Sequence, residues 1–353
     1  MIWPTGGVLD GTSSPLLSSI KTTQGYLATT TPSTYIPFSF FSILHAVRIA
    51  CAYRGAARAG GYDHKLGNFQ AALVPVILIL GGTTITNVLM GIVPGWLISP
   101  IPVLTYAYGV FFFDVIPRSS SVLTCTLPSI LPLLATKLGA VTFLLSLPKY
   151  PREIFFGMVD GFTRIMGITT LGIDTVLSHP NVALRHSPWA MIAVATLAGG
   201  GGGMIVPAFK GFGPEWSLAS TPGWVKDGPG IDIWGATVAG YVYATLIDAH
   251  PFFRVLPNAI FTRLPILNLL VKLPKGYLTN KAPTPLLPAD EAKIFCALLL
   301  GGMLAIRAAR PLLAELSKPA PKRKAIQAKS SSPAAVNAAE SSSKKVTKEK
   351  KTQ

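Results

Sequence analysis

Charge is scarce in this chain. Only 13% of its 353 residues are charged, against 50% hydrophobic and a mean hydropathy of +0.47, whereas soluble domains carry about 25% charged residues. That balance excludes an ordinary soluble domain and predicts an all-α polytopic membrane protein. Cysteine is scarcer still. Cys51, Cys125 and Cys296 are odd in number, fall inside apolar segments and lack metal-ligand spacing. They read as small packing residues, with no disulfide framework and no metal site expected. Also missing are a His-Glu-x-x-His zinc motif, a Gly-x-Ser-x-Gly elbow and an Asp pair in adjacent spans, while His45, His64, His179, His186 and His250 are scattered. An enzyme is therefore not expected, and no cofactor is implied. Residues 1–35 form a polar segment with Lys21 as its one basic residue and no apolar core ending in a small-residue cleavage site. A cleaved leader is not expected.

What the chain does have is long apolar stretches. A bilayer-spanning helix needs about 20 mainly apolar residues, and stretches of that kind occur at 36–53, 69–93, 97–116, 152–177, 188–209, 231–249 and 291–310. Seven transmembrane helices are predicted. A further apolar stretch, Val122–Leu147 in the 117–151 linker, holds Pro128, Pro132 and Lys137 and is flanked by Arg118, Lys149 and Arg152. Basic residues at both ends favour a re-entrant or interfacial hairpin over a crossing. The 250–290 linker carries Arg254, Arg263, Lys272, Lys275 and Lys281 among prolines and apolar residues, and reads as lying along the membrane surface.

Lys and Arg in the connections set the orientation. One basic residue precedes the first span, Arg54, Arg58 and Lys65 follow it, the next loop has none, and the third connection and the tail are basic again. The N-terminus is expected in the lumen and the C-terminus in the cytosol. Residues 311–353 form a basic cytosolic tail, which from Ser317 onward is too poor in large apolar residues to fold alone. Such a tail is drawn to anionic lipid headgroups by about 1 kcal/mol per charge at the surface. Lys350 and Lys351 stand fourth and third from the end, as in the dilysine retrieval signal of endoplasmic reticulum proteins.

Two of the apolar stretches contain glycine runs, Gly81-Gly82 in the second and Gly199, Gly200, Gly201, Gly202 and Gly203 in the fifth. Glycine in a membrane helix invites a break, tolerable only where the backbone faces protein or a wet path, so these positions read as helix breaks and gating hinges. They belong to a wider correspondence. The third span reads Tyr106-Ala-Tyr108 and ends at Asp114, the sixth reads Tyr241-Val-Tyr243 and ends at Asp248, and the first and fourth hold Arg48-Ile49 and Arg164-Ile165. Residues 36–116 and 152–249 are thus read as two three-helix repeats. Three crossings are an odd number, so the second copy is inverted, and the 291–310 span is added outside it. An inverted 3+3 repeat with interrupted helices marks a central transport path.

Ionisable residues at bilayer depth are functional candidates by default. Asp160 and Arg164, four apart on one helix face, form either a neutral structural bridge or the charged wall of a hydrated pore. Arg48, one turn after His45, reads first as snorkelling to the interface and second as a pore residue. Asp114 and Asp248 would end helices at opposite membrane faces, where carboxylates concentrate cations. Trp96, Trp189 and Trp234 lie near span ends and read as interfacial anchors. A proton- or sodium-coupled secondary transporter would show the same repeat and glycines, and stays open as the alternative to a channel.

The sequence Gly157-Met158-Val159-Asp160-Gly161-Phe162-Thr163-Arg164-Ile165, then Gly172-Ile173, a loop with His179 and His186, and Trp189-Ala190-Met191-Ile192-Ala193 leading into the glycines resembles the trimeric intracellular cation (TRIC) channel family. The likeness spans roughly residues 36–310 and marks a divergent member, with longer segments near 118–148 and 251–288. It implies a homotrimer in which each protomer conducts monovalent cations, chiefly potassium, through the endoplasmic reticulum membrane or nuclear envelope, balancing charge during calcium release and uptake. The partners implied are membrane lipids and monovalent cations, with no nucleic acid. Family members contact a phosphoinositide headgroup through a fourth-helix lysine. Here Val159 occupies that position, and Arg164 is the nearest substitute.

Overall fold

The computed structural model describes residues 15–29, 39–110, 144, 146–218, 221–257, 259 and 285–316, and helices make up most of them. The longer helices among the described residues are α1 (Pro15–Thr29), α2 (Phe40–Ala59), α3 (Asn68–Leu89), α4 (Ile101–Val110), α5 (Lys149–Ile168), α6 (Pro188–Ala208), α7 (Ile231–Leu246) and α8 (Ala289–Leu316). After Ile168 the helix continues through a π turn at Thr169–Ile173 into Asp174–Leu177. The described residues up to Arg310 belong to one compact unit, and residues 311–316, which are helical, to a second.

Local chemistry sets the helix starts. The Ser187 hydroxyl accepts from the Ala190 amide at 3.1 Å and Pro188 opens α6, so an otherwise orphaned donor is met and φ is preset. Ser39 caps α2 in the same way through the Ser42 amide. Within the apolar helices, threonine hydroxyls turn back onto carbonyls one turn earlier, as Thr84 does to Leu80 and Thr169 to Ile165. These hydroxyls are thereby paired within their own helices.

Among the described residues four helices are long and apolar enough to cross a membrane: Phe69–Leu89, Lys149–Leu177, Pro188–Ala208 and Ala289–Pro311. The protein is an all-α, multi-pass membrane protein. The other predicted spans fare differently. Helix α2 has 20 residues but carries Arg48, Arg54 and Arg58, α7 has 16, and α4 is described only to Val110. Sixteen residues cover about 24 Å, less than the roughly 30 Å of a hydrocarbon core. Most of the hairpin expected at Val122–Leu147, residues 258 and 260–284 of the surface loop, Cys125, Asp114, Lys350 and Lys351 lie outside the described residues.

Helix α6 sits at the centre, antiparallel to α3, α5 and α7. Its glycines explain the position, though not as hinges. Both α3 and α6 run unbroken through Gly81-Gly82 and Gly199 to Gly203, correcting the expectation of helix breaks. A Cβ on Gly82 would strike the Leu197 carbonyl and lie 3.0 Å from that of Ala198, one on Gly202 would overlap the Leu78 carbonyl, and one on Gly200 would come 2.9 Å from the Asp232 carbonyl. The missing side chains let backbones touch, the usual glue between helices in lipid. Gly161 and Gly301 do the same where α5 crosses α8. Around this frame Ile165, Ile168, Met191, Ala195, Tyr243 and Leu300 form a closed core, and Cys51 and Cys296 are buried thiols within the packing.

Candidate functional site

Helices α2, α3, α4, α5 and α6 surround a cavity of about 540 Å³, walled by Leu78, Thr83, Asn87, Trp96, Gly167 and Gly203 and, on one side, by His45, Tyr106, Asp160, Thr163 and Arg164. A volume of that size holds a hydrated ion or a small organic solute.

Asp160 is the centre of the charged wall. It is 1% exposed and receives Arg164 Nε on Oδ1 at 3.0 Å, while Arg48 approaches Oδ2 to 3.6 Å. The pairing of Asp160 with Arg164 predicted from their spacing is present. The snorkelling predicted for Arg48 is not: its side chain is 11% exposed and turned inward to the carboxylate. Desolvation explains the choice, since a carboxylate this deep is costly without a cation beside it.

Sequence spacing could not reveal the rest of the array. Arg164 also donates to the Gly199 carbonyl at 3.4 Å and pairs with Asp232, in the first turn of α7, at 3.0 Å; Asp232 in turn pairs with Arg307 of α8 at 2.8 Å. Alternating charges therefore run from α2 through α5 and α7 to α8. Beside them His45 Nδ1 and the Tyr106 hydroxyl are 3.1 Å apart, with the rings edge to face. Tyr106 was legible as part of a repeated motif, but its partner on α2 was not.

No family model, curated protein or solved structure matches this chain. The physical arrangement is thus what bears on function.

Of the other predicted residues, Gly199, Gly202 and Gly203 line the cavity, whereas Asp248, Trp189 and Trp234 do not. Asp248, expected at an open mouth, is 4% exposed and held by Arg254, whose Nε donates to Oδ1 at 2.7 Å. It is a neutralised carboxylate locking the end of α7, where φ reaches +53°. Trp189 and Trp234 are exposed at the first turns of α6 and α7, whereas Trp96 faces the cavity and donates to Thr84 Oγ1 at 2.9 Å.

A second charged cluster was not foreseen. Beyond the π turn, Asp174 accepts from the Tyr243 hydroxyl at 2.8 Å and pairs with Lys293 at 2.9 Å, and Lys293 also donates to Thr170 Oγ1 at 3.0 Å. This bolt ties α5 to α7 and α8. Among the described residues no group of His, Cys, Asp or Glu is placed to hold a metal ion.

Proposed function

We propose that the chain is a seven-span, inverted 3+3 plus one, intracellular monovalent cation channel. Potassium is its chief ion, and the current balances charge during calcium release and uptake across the endoplasmic reticulum membrane. One observation carries the reading: a cavity inside an apolar bundle whose wall, mainly apolar, is broken by the buried carboxylate of Asp160, held by Arg48 and Arg164. Buried charges that line space rather than fill a core are what an ion path requires. Support for the repeat comes from which residues meet. The corresponding arginines of the two halves, Arg48 and Arg164, converge on one carboxylate, and the corresponding glycines, Gly82 and Gly201, touch. In this reading three such chains assemble, the N-terminus faces the lumen, the C-terminus the cytosol, and Lys350-Lys351 returns the protein to the endoplasmic reticulum. A lipid phosphate would meet Arg164 rather than the family lysine.

Planar-bilayer recording of the purified full chain tests the proposal. Discrete potassium currents that vanish when potassium is replaced by N-methyl-D-glucamine are expected. Coupled uptake into vesicles without unitary events would instead favour a proton- or sodium-driven transporter, for which the presence of His45 and Asp160 in one cavity is the supporting observation.

A further inference from the structure

The two arginines on Asp160 are held very differently. All three guanidinium nitrogens of Arg164 have partners, on its own helix, on α6 and on α7. Against Asp160, Arg48 makes only a 3.6 Å approach, too long for a hydrogen bond, and its buried Nε has no hydrogen-bond partner among the described residues. Asp160 Oδ2 is likewise buried without a hydrogen bond. A buried carboxylate oxygen and a buried guanidinium that face each other without bonding are an unsatisfied pair. The carboxylate lies in the cavity wall, where a cation in the cavity would seek it. In the same conformation the Arg48 guanidinium carbon lies 5.9 Å from the Phe156 ring centroid, an outer-range cation–π contact that has room to tighten, and an aromatic face stabilises a guanidinium that has left its anion.

We infer that Arg48 is a tethered counter-ion occupying the permeant cation's place on Asp160: it rests on Oδ2 when the cavity is empty and withdraws toward Phe156 when a monovalent cation enters, a role that rests on the conducting-cavity reading. Arg164 is the fixed charge that positions Asp160. Arg48 thereby sets how tightly the cavity holds a cation. The positive charge of Arg48 competes with that cation, and its loss leaves Asp160 with one arginine instead of two.

The test uses the full-length protein in detergent and in planar bilayers. Potassium, and thallium as its substitute, are titrated against N-methyl-D-glucamine, and the rise in unfolding temperature and the single-channel conductance are followed. Arg48→Gln is expected to lower the half-saturating potassium concentration on the order of tenfold, while Arg48→Lys, which keeps the charge, stays near wild type. Phe156→Leu removes the aromatic face and shifts the half-saturating concentration the opposite way, a few-fold upward; it decides the matter should Arg48→Gln fail to fold. An unchanged potassium dependence in Arg48→Gln overturns the inference, as does a gain in stabilisation by chloride instead of potassium. A wild-type protein without unitary currents would defeat the channel reading, yet the potassium-dependent unfolding temperatures would still decide the role of Arg48.

Discussion

A Cβ placed on Gly201 would stand 2.6 Å from the Cα of Gly82, so α3 and α6 meet backbone to backbone. Gly82→Val and Gly202→Val force that contact apart and are expected to cost at least about 1–3 kcal/mol, the usual penalty of overpacking. Gly203 has nothing within 4 Å of its Cβ position. Gly203→Ala is expected to be neutral or to stabilise by up to about 1 kcal/mol, because alanine favours the helix. Thermal unfolding in detergent distinguishes this packing role from a hinge role, in which all three replacements would leave stability alone and change only transport.

Asp160→Ala leaves Arg48 and Arg164 facing each other without their shared anion. Breaking one side of a buried pair costs about 3–5 kcal/mol, and that loss is expected in chemical unfolding. Combined with Arg164→Gln the loss should be smaller than the sum of the single changes, since the second replacement removes the charge that the first stranded. Strict additivity in this cycle would show that the pair is uncoupled.

The bolt on Asp174 gives a graded expectation. Tyr243→Phe deletes one hydrogen bond to a carboxylate, worth about 1.5–3 kcal/mol. Lys293→Ala costs more, because it leaves Asp174 charged and partly buried with the tyrosine alone, and Asp174→Asn should relieve part of that cost. Equilibrium unfolding of the three proteins checks the order.

Stability should fall in acid through His250. Burial first, and nearby His186 second, hold its imidazole below the ordinary value of 6.5. Its Nδ1 accepts the Phe252 amide at 3.1 Å and caps the short helix Pro251–Arg254. The folded state therefore binds fewer protons than the unfolded one. This contribution is present above pH 6.5 and is lost progressively as pH falls below it. His250→Asn, which can cap without titrating, is expected to flatten the unfolding temperature between pH 7 and pH 5 relative to wild type.

How far the sequence disclosed this protein depended on whether one helix sufficed. Asp160 and Arg164 share a helix face, so their spacing alone announced the pair. The apolar runs announced α3, α5, α6 and α8. What needed two helices stayed hidden: Asp232 with Arg164, Asp174 with Lys293 and Tyr243, and the inward turn of Arg48. The glycines were noticed for the right reason, their lack of a side chain, but a missing Cβ permits close packing as readily as a break. Only the neighbouring carbonyls of Leu78 and Leu197 show which one the chain uses. In α7 the apolar character was visible, but the end at Leu246 was set by the turn at Asp248 and its bond to Arg254.

The π turn at Thr169–Ile173, closed by the Asp174 amide on the Thr169 carbonyl, also changes the phase of everything after it. In an uninterrupted α-helix, fourteen residues of about 100° each would bring Asp174 within about 40° of Asp160. One extra residue in the turn sets it back by about another 100°, so the two carboxylates diverge around the axis. A single residue of slack thus turns two acidic centres on one rod to different neighbours, Asp160 to Arg48 and Arg164 at the cavity wall and Asp174 to Lys293 and Tyr243 in the scaffold.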